Sequence, residues 1–289
     1  MTDEPAVRET FRTVNGLRLQ VAEAGPLDGP LVILLHGFPD VWQNWRLQIA
    51  PLVAAGFRVL APNQRGYGKS DKPTSLRAYN LDVLAADVDS LAATEGRMRY
   101  HLVGHDWGGI IAWWAAAKYP HRVAKLVACN APHPGAFSRY LWRHPTQMLK
   151  SYYVGAFQLP WLPEMLLSAG GFRRLQTAVA AMARPDAFDE TDRAARLAAW
   201  AEPGALTGMI NYYRAALRRA PTSLSVRVTV PTLIVWGKRD KALEFGSAIE
   251  SEKLADDVRL VEFAEAGHWV QHEETARVNA EMLTFLRGN

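Results

Sequence analysis

The 289-residue sequence has a single cysteine, Cys129, and no long apolar run. A single cysteine excludes an internal disulfide framework and a metal site built from several thiolates, and we assign it no catalytic role. Runs such as "LVILL" are much shorter than the roughly 20 residues of a membrane helix. The amino-terminal stretch "MTDEPAVRETFR" lacks the apolar core of a signal peptide. We therefore expect a cytoplasmic protein without membrane insertion.

An excess of one charge sign is also largely missing. Lys and Arg number 33 and Asp and Glu 29, which gives a formal net charge of +4. Clusters such as "FRRLQ" and "RRAPTSLSVR" are typical of solvated faces, and no nucleic-acid-binding motif accompanies them. We expect no nucleic-acid partner. Hydrophobic residues make up 49% of the chain, and no repeat or low-complexity tract interrupts it, so the composition indicates a globular protein.

Strand and helix patterns alternate along much of the chain. Between residues 7 and 133, "LRLQVAEAG", "LVILLHG", "FRVLAPN", "YHLVGH" and "VAKLVACNAP" are strand patterns, separated by helical patterns such as "WQNWRLQIAPLVAAG", "LDVLAADVDSLAATEG" and "GGIIAWWAAAKYP". The alternation resumes with "TLIVWG", a helix near 245–255, "VRLVEFA" and "ETARVNAEMLTFLRG". This order predicts an α/β fold with a mainly parallel sheet flanked by helices.

The alternation stops between residues 134 and 225, where "RYLWRHPTQMLKSYYVGAF", "MLLSAGGFRRLQTAVAAMA", "DRAARLAAWAE" and "TGMINYYRAALRRA" are helical patterns with Pro and Gly joints. We predict a core domain made of residues 1–133 and 226–289 and an inserted helical cap over 134–225. Open α/β sheets bind ligands at the carboxyl ends of their strands, so the cap is expected to form the roof of the pocket.

The stretch "LVGHDWGGI" follows a predicted strand and precedes a helix, as a G-x-nucleophile-x-G elbow does. Asp106 stands where serine hydrolases have serine. A carboxylate at a helix N-terminus is expected to stay ionised because the helix dipole and free N–H groups favour the charge. The alternative is that Asp106 only caps the following helix.

Two further residues complete a catalytic pattern. Asp240 follows the strand "TLIVWG", and His268 follows the next strand, which gives nucleophile, acid and histidine in the chain order of this elbow motif. His272 lies four residues after His268, but no third ligand with suitable spacing follows, so we expect no metal. In "HGFPD", the backbone of Phe38 and the N–H of Trp107 are predicted to form an oxyanion hole.

The stretches "HGFPDVWQNWR", "GYGKSDKP" and "GHDWGG", together with the Asp240 and His268 stretches, resemble the α/β-hydrolase superfamily. Within that superfamily, the chain resembles the soluble-type epoxide hydrolases over nearly its whole length. "GYGKS" is not a phosphate loop, since the first glycine of such a motif would fall on Asn63; the resemblance implies a structural turn. It also implies an enzyme that needs no organic cofactor.

The choice of Asp over Ser indicates the electrophile. A serine that attacked an sp3 carbon would form an ether, whereas an aspartate forms an alkyl ester whose carbonyl water can attack. We therefore expect Asp106 to open an alkyl substrate. His268, oriented by Asp240, is expected to activate the water that hydrolyses the ester.

Two Tyr pairs, in "SYYVGAFQ" and "NYYRAAL", resemble the cap stretches that supply ring-opening tyrosines in epoxide hydrolases. By position these are Tyr153 and Tyr213, and their neighbours Tyr152 and Tyr212 are expected to face away and pack. A phenol stays protonated at neutral pH and can donate to a leaving alkoxide. An apolar pocket for a small lipophilic epoxide is expected from Phe38, Trp107, Phe157 and Trp161.

Three other functions remain open. A haloalkane dehalogenase uses the same type of nucleophile and a tryptophan at the Trp107 position, but commonly has Asn where this chain has Phe38; Trp142 or Trp161 could replace that donor. A fluoroacetate dehalogenase carries Arg directly after the nucleophile, where this chain has Trp107. A non-catalytic sensor would be expected to lose one of the catalytic groups. The Ala- and Arg-rich cap helices favour a bacterial source. We expect a role in detoxification. The sequence does not decide whether the protein forms a homodimer.

Overall fold

The computed structural model describes residues 6–219, 224 and 226–288. Its eight strands form one sheet. In spatial order they are β1 (Arg8–Val14), β2 (Leu17–Ala24), β4 (Arg58–Pro62), β3 (Leu31–Leu35), β5 (Tyr100–His105), β6 (Val123–Cys129), β7 (Thr232–Gly237) and β8 (Val258–Phe263). The β1–β2 and β2–β4 pairs are antiparallel and the other five pairs are parallel, which confirms the predicted mainly parallel sheet.

Helices cover both faces of the sheet because its strands are apolar on both sides. In β3, Leu31, Ile33 and Leu35 pack into one core cluster, whereas Val32 and Leu34 pack into the other. The first cluster includes residues of α2 (Leu81–Thr94), α3 (Trp107–Lys118) and α10 (Gly246–Glu252). The second includes residues of α1 (Arg46–Ala54) and α12 (Thr275–Arg287), which the short α11 (Val270–Glu273) precedes.

The helical block lies between β6 and β7, and we refer to it as the cap. In the described residues it contains α4 (Pro134–Arg143), α5 (Pro145–Lys150), α6 (Tyr152–Ala156), α7 (Leu162–Met182), α8 (Glu190–Trp200) and α9 (Ala205–Arg218). The boundaries 134 and 225 stay a prediction, and residue 225 lies outside the described residues. No helix in the described part of the chain is long and apolar enough to cross a bilayer.

Two predicted cap helices differ from the expectation. The pattern over 139–157 forms three short helices, because Pro145 disfavours a helical His144, which adopts φ −125° and ψ 99°. The pattern over 165–183 is interrupted at residues 169–172, where Gly170 and Gly171 have φ of 63° and 68°. Left-handed backbone of this kind ends one helical segment and redirects the next.

Candidate active site

Asp106 lies on the sharp turn between β5 and α3. Its φ of 50° and ψ of −122° are strained for a residue with a side chain, and such strain is often found at functional sites. The turn requires glycine on either side because strand and helix approach closely. A Cβ on Gly104 would lie 2.4 Å from the Gly108 carbonyl oxygen, and one on Gly108 would lie 2.2 Å from that of Leu35.

The Asp106 carboxylate makes no capping hydrogen bond to α3, which disfavours the alternative that it serves only as a helix cap. Instead, the backbone N–H of Phe38 donates to its Oδ1 at 2.7 Å. Burial raises the pKa of Asp106, whereas His268 and the N–H groups of Phe38 and Trp107 lower it, and the net shift is upward. The two N–H groups therefore stabilise the ionised form of Asp106, as expected from the sequence, but burial destabilises it.

His268 lies between two carboxylates. Its Nδ1 is 2.7 Å from Asp240 Oδ2, and its Nε2 is 3.7 Å from Asp106 Oδ2. Asp240 Oδ1 is held in place by the backbone N–H groups of Ala242 and Leu243, at 2.7 and 2.9 Å. These contacts orient the imidazole so that Nε2 faces Asp106.

The charges of this group follow from its contacts. Burial alone would lower the pKa of His268, but the Asp240 and then the Asp106 carboxylates raise it to about 9. Burial would raise the pKa of Asp240, yet His268 and the surrounding donors lower it. At neutral pH, the histidine is therefore an imidazolium that is paired with the Asp240 carboxylate.

Asn130 is a site residue that sequence reasoning missed. Its Nδ2 donates to Asp240 Oδ2 at 2.8 Å, and its Oδ1 accepts the Gly237 N–H at 2.8 Å. Asn130 directly follows β6, so it can fix the Asp240 carboxylate across the ends of neighbouring strands. Its position at the end of a predicted strand was the only signal for it in the sequence.

Five aromatic rings pack together beside Asp106. Tyr213 is central, with ring centroids 5.1 to 5.7 Å from those of the other four, which are Phe38, Trp107, Tyr153 and Phe157. Burial, reinforced by the nearby Asp106 charge, raises the pKa of Tyr153. Burial and the neighbouring Tyr153 and Asp106 raise that of Tyr213. Both phenols consequently keep their protons at neutral pH and above.

The neighbouring tyrosines have other surroundings. Tyr152 is 74% exposed, so the prediction that it packs is wrong. Tyr212 is fully buried, and its hydroxyl donates to the Arg65 carbonyl at 2.9 Å. The member of each pair that packs with the site aromatics is thus the one chosen from the sequence.

The structure does not bring Trp161 into this aromatic group. Trp161 is 67% exposed, directly before α7, and has a left-handed φ of 49°. Trp142, the other suggested halide donor, is 74% exposed. His272 Nε2 is 2.8 Å from the Asn44 carbonyl, a structural contact. Cys129 is buried, and burial raises its pKa to about 12, which leaves the thiol unreactive.

Comparisons with known proteins agree with this geometry. Residues 30–275 match the family model described as alpha/beta hydrolase fold. The chain belongs to the α/β-hydrolase superfamily. This hydrolase is 41% identical over 281 residues to "AB hydrolase superfamily protein YfhM" of Bacillus subtilis (strain 168), covering 97% of this chain and 98% of that protein.

Relatives with more specific names are also similar to this hydrolase. "Epoxide hydrolase 4" of Homo sapiens is 38% identical over 279 residues, 94% of this chain and 76% of that protein. A crystal structure of Bacillus megaterium epoxide hydrolase in complex with an inhibitor matches with a TM-score of 0.88 and 32% identity, covering 96% of this chain and 100% of that one. The predicted fold class is confirmed.

Proposed function

We propose that this hydrolase converts lipophilic epoxides to vicinal diols through an alkyl ester on Asp106. The observation that carries the proposal is the placement of a carboxylate on a strand-to-helix elbow beside two phenols, Tyr153 and Tyr213, that pack in one aromatic group. Relatives named epoxide hydrolases support it.

In the first step, Asp106 Oδ2 attacks a ring carbon of the epoxide. Oδ1 is held by the Phe38 N–H, so Oδ2 is the oxygen free to react. The new C–Oδ2 bond forms as the ring C–O bond breaks, and the departing oxygen takes a proton from Tyr153 or Tyr213. The other phenol donates a hydrogen bond to the same oxygen. The tyrosinate recovers a proton through solvent from the His268 imidazolium, so that His268 is neutral before the second step.

In the second step, His268 removes a proton from water, and the resulting hydroxide adds to the ester carbonyl of Asp106. The negative charge then develops on Oδ1, which the N–H groups of Phe38 and Trp107 stabilise. The Cγ–Oδ2 bond breaks, and His268 returns its proton to the departing diol oxygen. The Asp106 carboxylic acid that remains gives its proton to His268, which restores the carboxylate and the imidazolium. Asp240 keeps the imidazole oriented throughout.

The two steps need different charges on His268. Ester formation neutralises Asp106, which removes one of the carboxylates that raise the pKa of His268. The imidazolium of the resting enzyme therefore loses its proton more readily once the ester has formed. Alkylation thus produces the base that the second step requires.

Haloalkane dehalogenation is the alternative with the same nucleophile. A halide leaves as a stable anion and needs N–H donors rather than acids. Trp107 could supply one donor, but Trp142 and Trp161, the suggested second donors, are largely exposed. This exposure favours the epoxide.

The test offers purified protein an aryl epoxide and, separately, a bromoalkane, and measures diol and bromide. We expect diol from the epoxide and no bromide above the level of an Asp106→Asn control. Bromide release without diol formation would contradict the proposal and support the dehalogenase.

A further inference from the structure

Exposed large hydrophobic side chains are concentrated in one part of the cap. Of fifteen such side chains in the described residues, eight lie within residues 139–174, on α4, α5, α6, the segment that follows α6 and the start of α7. Five are more than half exposed, namely Trp142, Leu149, Tyr152, Trp161 and Met165. We refer to the exposed side chains of residues 139–174 as the outer cap face. Clustered apolar exposure of this kind marks an interaction surface.

The outer cap face lies directly outside the candidate active site. The ring of Tyr153 packs with Phe157 and Tyr213 on the inner side of α6. The ring of its neighbour Tyr152 is 74% exposed on the outer side. A partner on the outer cap face would therefore be separated from the site aromatics by a single short helix.

Positive charge accompanies the apolar side chains. Residues 139–174 contain five basic residues and one acidic residue, Glu164, whose carboxylate pairs with Arg214 at 2.6 Å. Of the five basic residues, Lys150 is paired with Glu244 at 3.4 Å. Residues 134–219 contain eleven basic and six acidic residues, an excess of five that is larger than the net charge of +4 of the whole chain. Arg173 and Arg174 are exposed, next to the interruption in α7.

We propose that the outer cap face docks on the surface of an anionic phospholipid bilayer. Exposed Trp and Tyr suit the boundary between headgroups and acyl chains, and Leu and Met add apolar area. Lys and Arg near such a surface are attracted by its negative potential. The docking is peripheral, since no helix in the described residues can span a membrane.

The same charges disfavour a second copy of the chain as the partner. A two-fold symmetric dimer would place the same basic surface of each subunit against the other, so that like charges would repel. An anionic bilayer is complementary to both features of the face. The inference goes beyond epoxide hydrolysis and does not depend on it, although lipophilic substrates would collect in the same lipid.

The test sediments the full chain with vesicles of phosphatidylcholine alone and with vesicles in which phosphatidylglycerol replaces part of the phosphatidylcholine. We expect binding to the anionic vesicles. Arg173→Gln combined with Arg174→Gln is expected to lower that binding on the order of tenfold. Leu149→Ser combined with Trp161→Ser is expected to lower binding as well.

Matched controls remove similar side chains from the core domain. Leu27→Ser with Met98→Ser removes two side chains that are each 76% exposed, and Arg8→Gln with Arg99→Gln removes two exposed positive charges. Neither pair is expected to change vesicle binding. Absence of binding, or an equal loss in the control variants, would overturn the proposal. Light scattering that finds a dimer abolished by Leu149→Ser with Trp161→Ser would assign the face to a second copy instead.

Discussion

Arg196 of α8 places its guanidinium Nε 2.6 Å from Asp40 Oδ1, and both side chains are almost completely buried. Asp40 lies two residues after Phe38, and its Oδ2 accepts a hydrogen bond from the indole of Trp269, the residue after His268. One ion pair thus links the cap both to the loop whose Phe38 N–H binds Asp106 and to the loop that carries His268. Neither Asp40 nor Arg196 stood out in the sequence as a site residue.

Arg196→Gln is expected to destabilise the protein by about 3 to 5 kcal/mol, because it leaves the buried Asp40 carboxylate without its cation. Arg193→Gln is the matched control. Arg193 is on the same helix, but its partner Glu190 is exposed, so the change should be small. Urea unfolding followed by circular dichroism measures both. Equal free energies of unfolding for the two variants would contradict the importance of the buried pair.

The two tyrosine pairs allow chemistry to be separated from packing. Tyr153→Phe and Tyr213→Phe are each expected to lower kcat on an epoxide by about 100-fold or more, and the double variant to abolish ring opening, because the alkoxide loses its proton donors. Steady-state diol formation measures the effect.

The neighbouring tyrosines are the controls for this prediction. Tyr152→Phe should change nothing. Tyr212→Phe should lower stability by about 1 to 3 kcal/mol because the Arg65 carbonyl loses its donor, but it should leave kcat intact. Turnover near the wild-type rate in the Tyr153→Phe, Tyr213→Phe double variant would refute the assigned acids.

His268→Gln is expected to stop the reaction at the ester, since Gln cannot take the proton from water. Intact-protein mass spectrometry after exposure to an epoxide should find one added substrate mass, and peptide mapping should locate it on Asp106. The same experiment with Asp106→Asn in the His268→Gln background is the control and should find none. An adduct on another residue would argue against the ester route.

Gly37 lies against Asp106, and a Cβ added there would be 2.4 Å from Asp106 Cβ and 2.5 Å from its Oδ1. Gly37→Ala is therefore expected to push Oδ1 away from the Phe38 N–H and to lower kcat by about 100-fold or more. Gly155→Ala in α6 meets no atom within 4 Å and should keep full activity. Diol formation by the two variants checks this, and an active Gly37→Ala enzyme would show that the contact does not matter.

Acid stability is expected to depend on buried neutral histidines. Burial, and secondarily Lys125 and Arg99, lower the pKa of His101 from 6.5 to about 4. Below pH 6.5, His101 binds a proton in the unfolded chain but stays neutral in the folded protein. The free energy of unfolding therefore falls as the pH falls from 6.5 towards 4. Burial lowers the pKa of His36 and of His133 to about 4 in the same way.

Replacing His101 by Gln removes one group that takes up a proton on unfolding. The slope of the free energy of unfolding against pH should therefore fall by up to about 1.4 kcal/mol per pH unit in that range. Thermal melts at a series of pH values give the slope. His121→Gln, at an exposed position, is the control and should leave the slope unchanged. A His101→Gln slope equal to that of the wild type would contradict the prediction.

Much of the fold could be predicted because its signals are local. A few consecutive residues are enough to predict a buried strand such as "LVILL" or the elbow between its two glycines. β1 was not among the predicted strands, although "NG" at residues 15–16 is a hairpin signal, and these residues adopt φ of 49° and 76° between β1 and β2.

Side-chain direction in the cap and pairing across distant segments were harder to predict. Asn130 binds Asp240, 110 residues away, and no local pattern encodes that contact. Trp161 was predicted to line the pocket because it is an apolar residue of the cap. A left-handed turn precedes α7, however, and the Trp161 ring is largely exposed. Periodicity identifies an apolar residue, whereas the turn before the helix decides where its ring lies.

The hydrogen bond from the Phe38 N–H to Asp106 Oδ1 means that, on the proposed route, one carboxylate oxygen is exchanged in each turnover and the other is retained. Each turnover releases Oδ2 within the diol and replaces it with an oxygen from solvent. Oδ1 stays bonded to Cγ, and the N–H that holds it opposes the rotation that would exchange the two positions. The attacking oxygen would then come from solvent after the first turnover, whereas Oδ1 would remain the atom that was incorporated when the chain was synthesised.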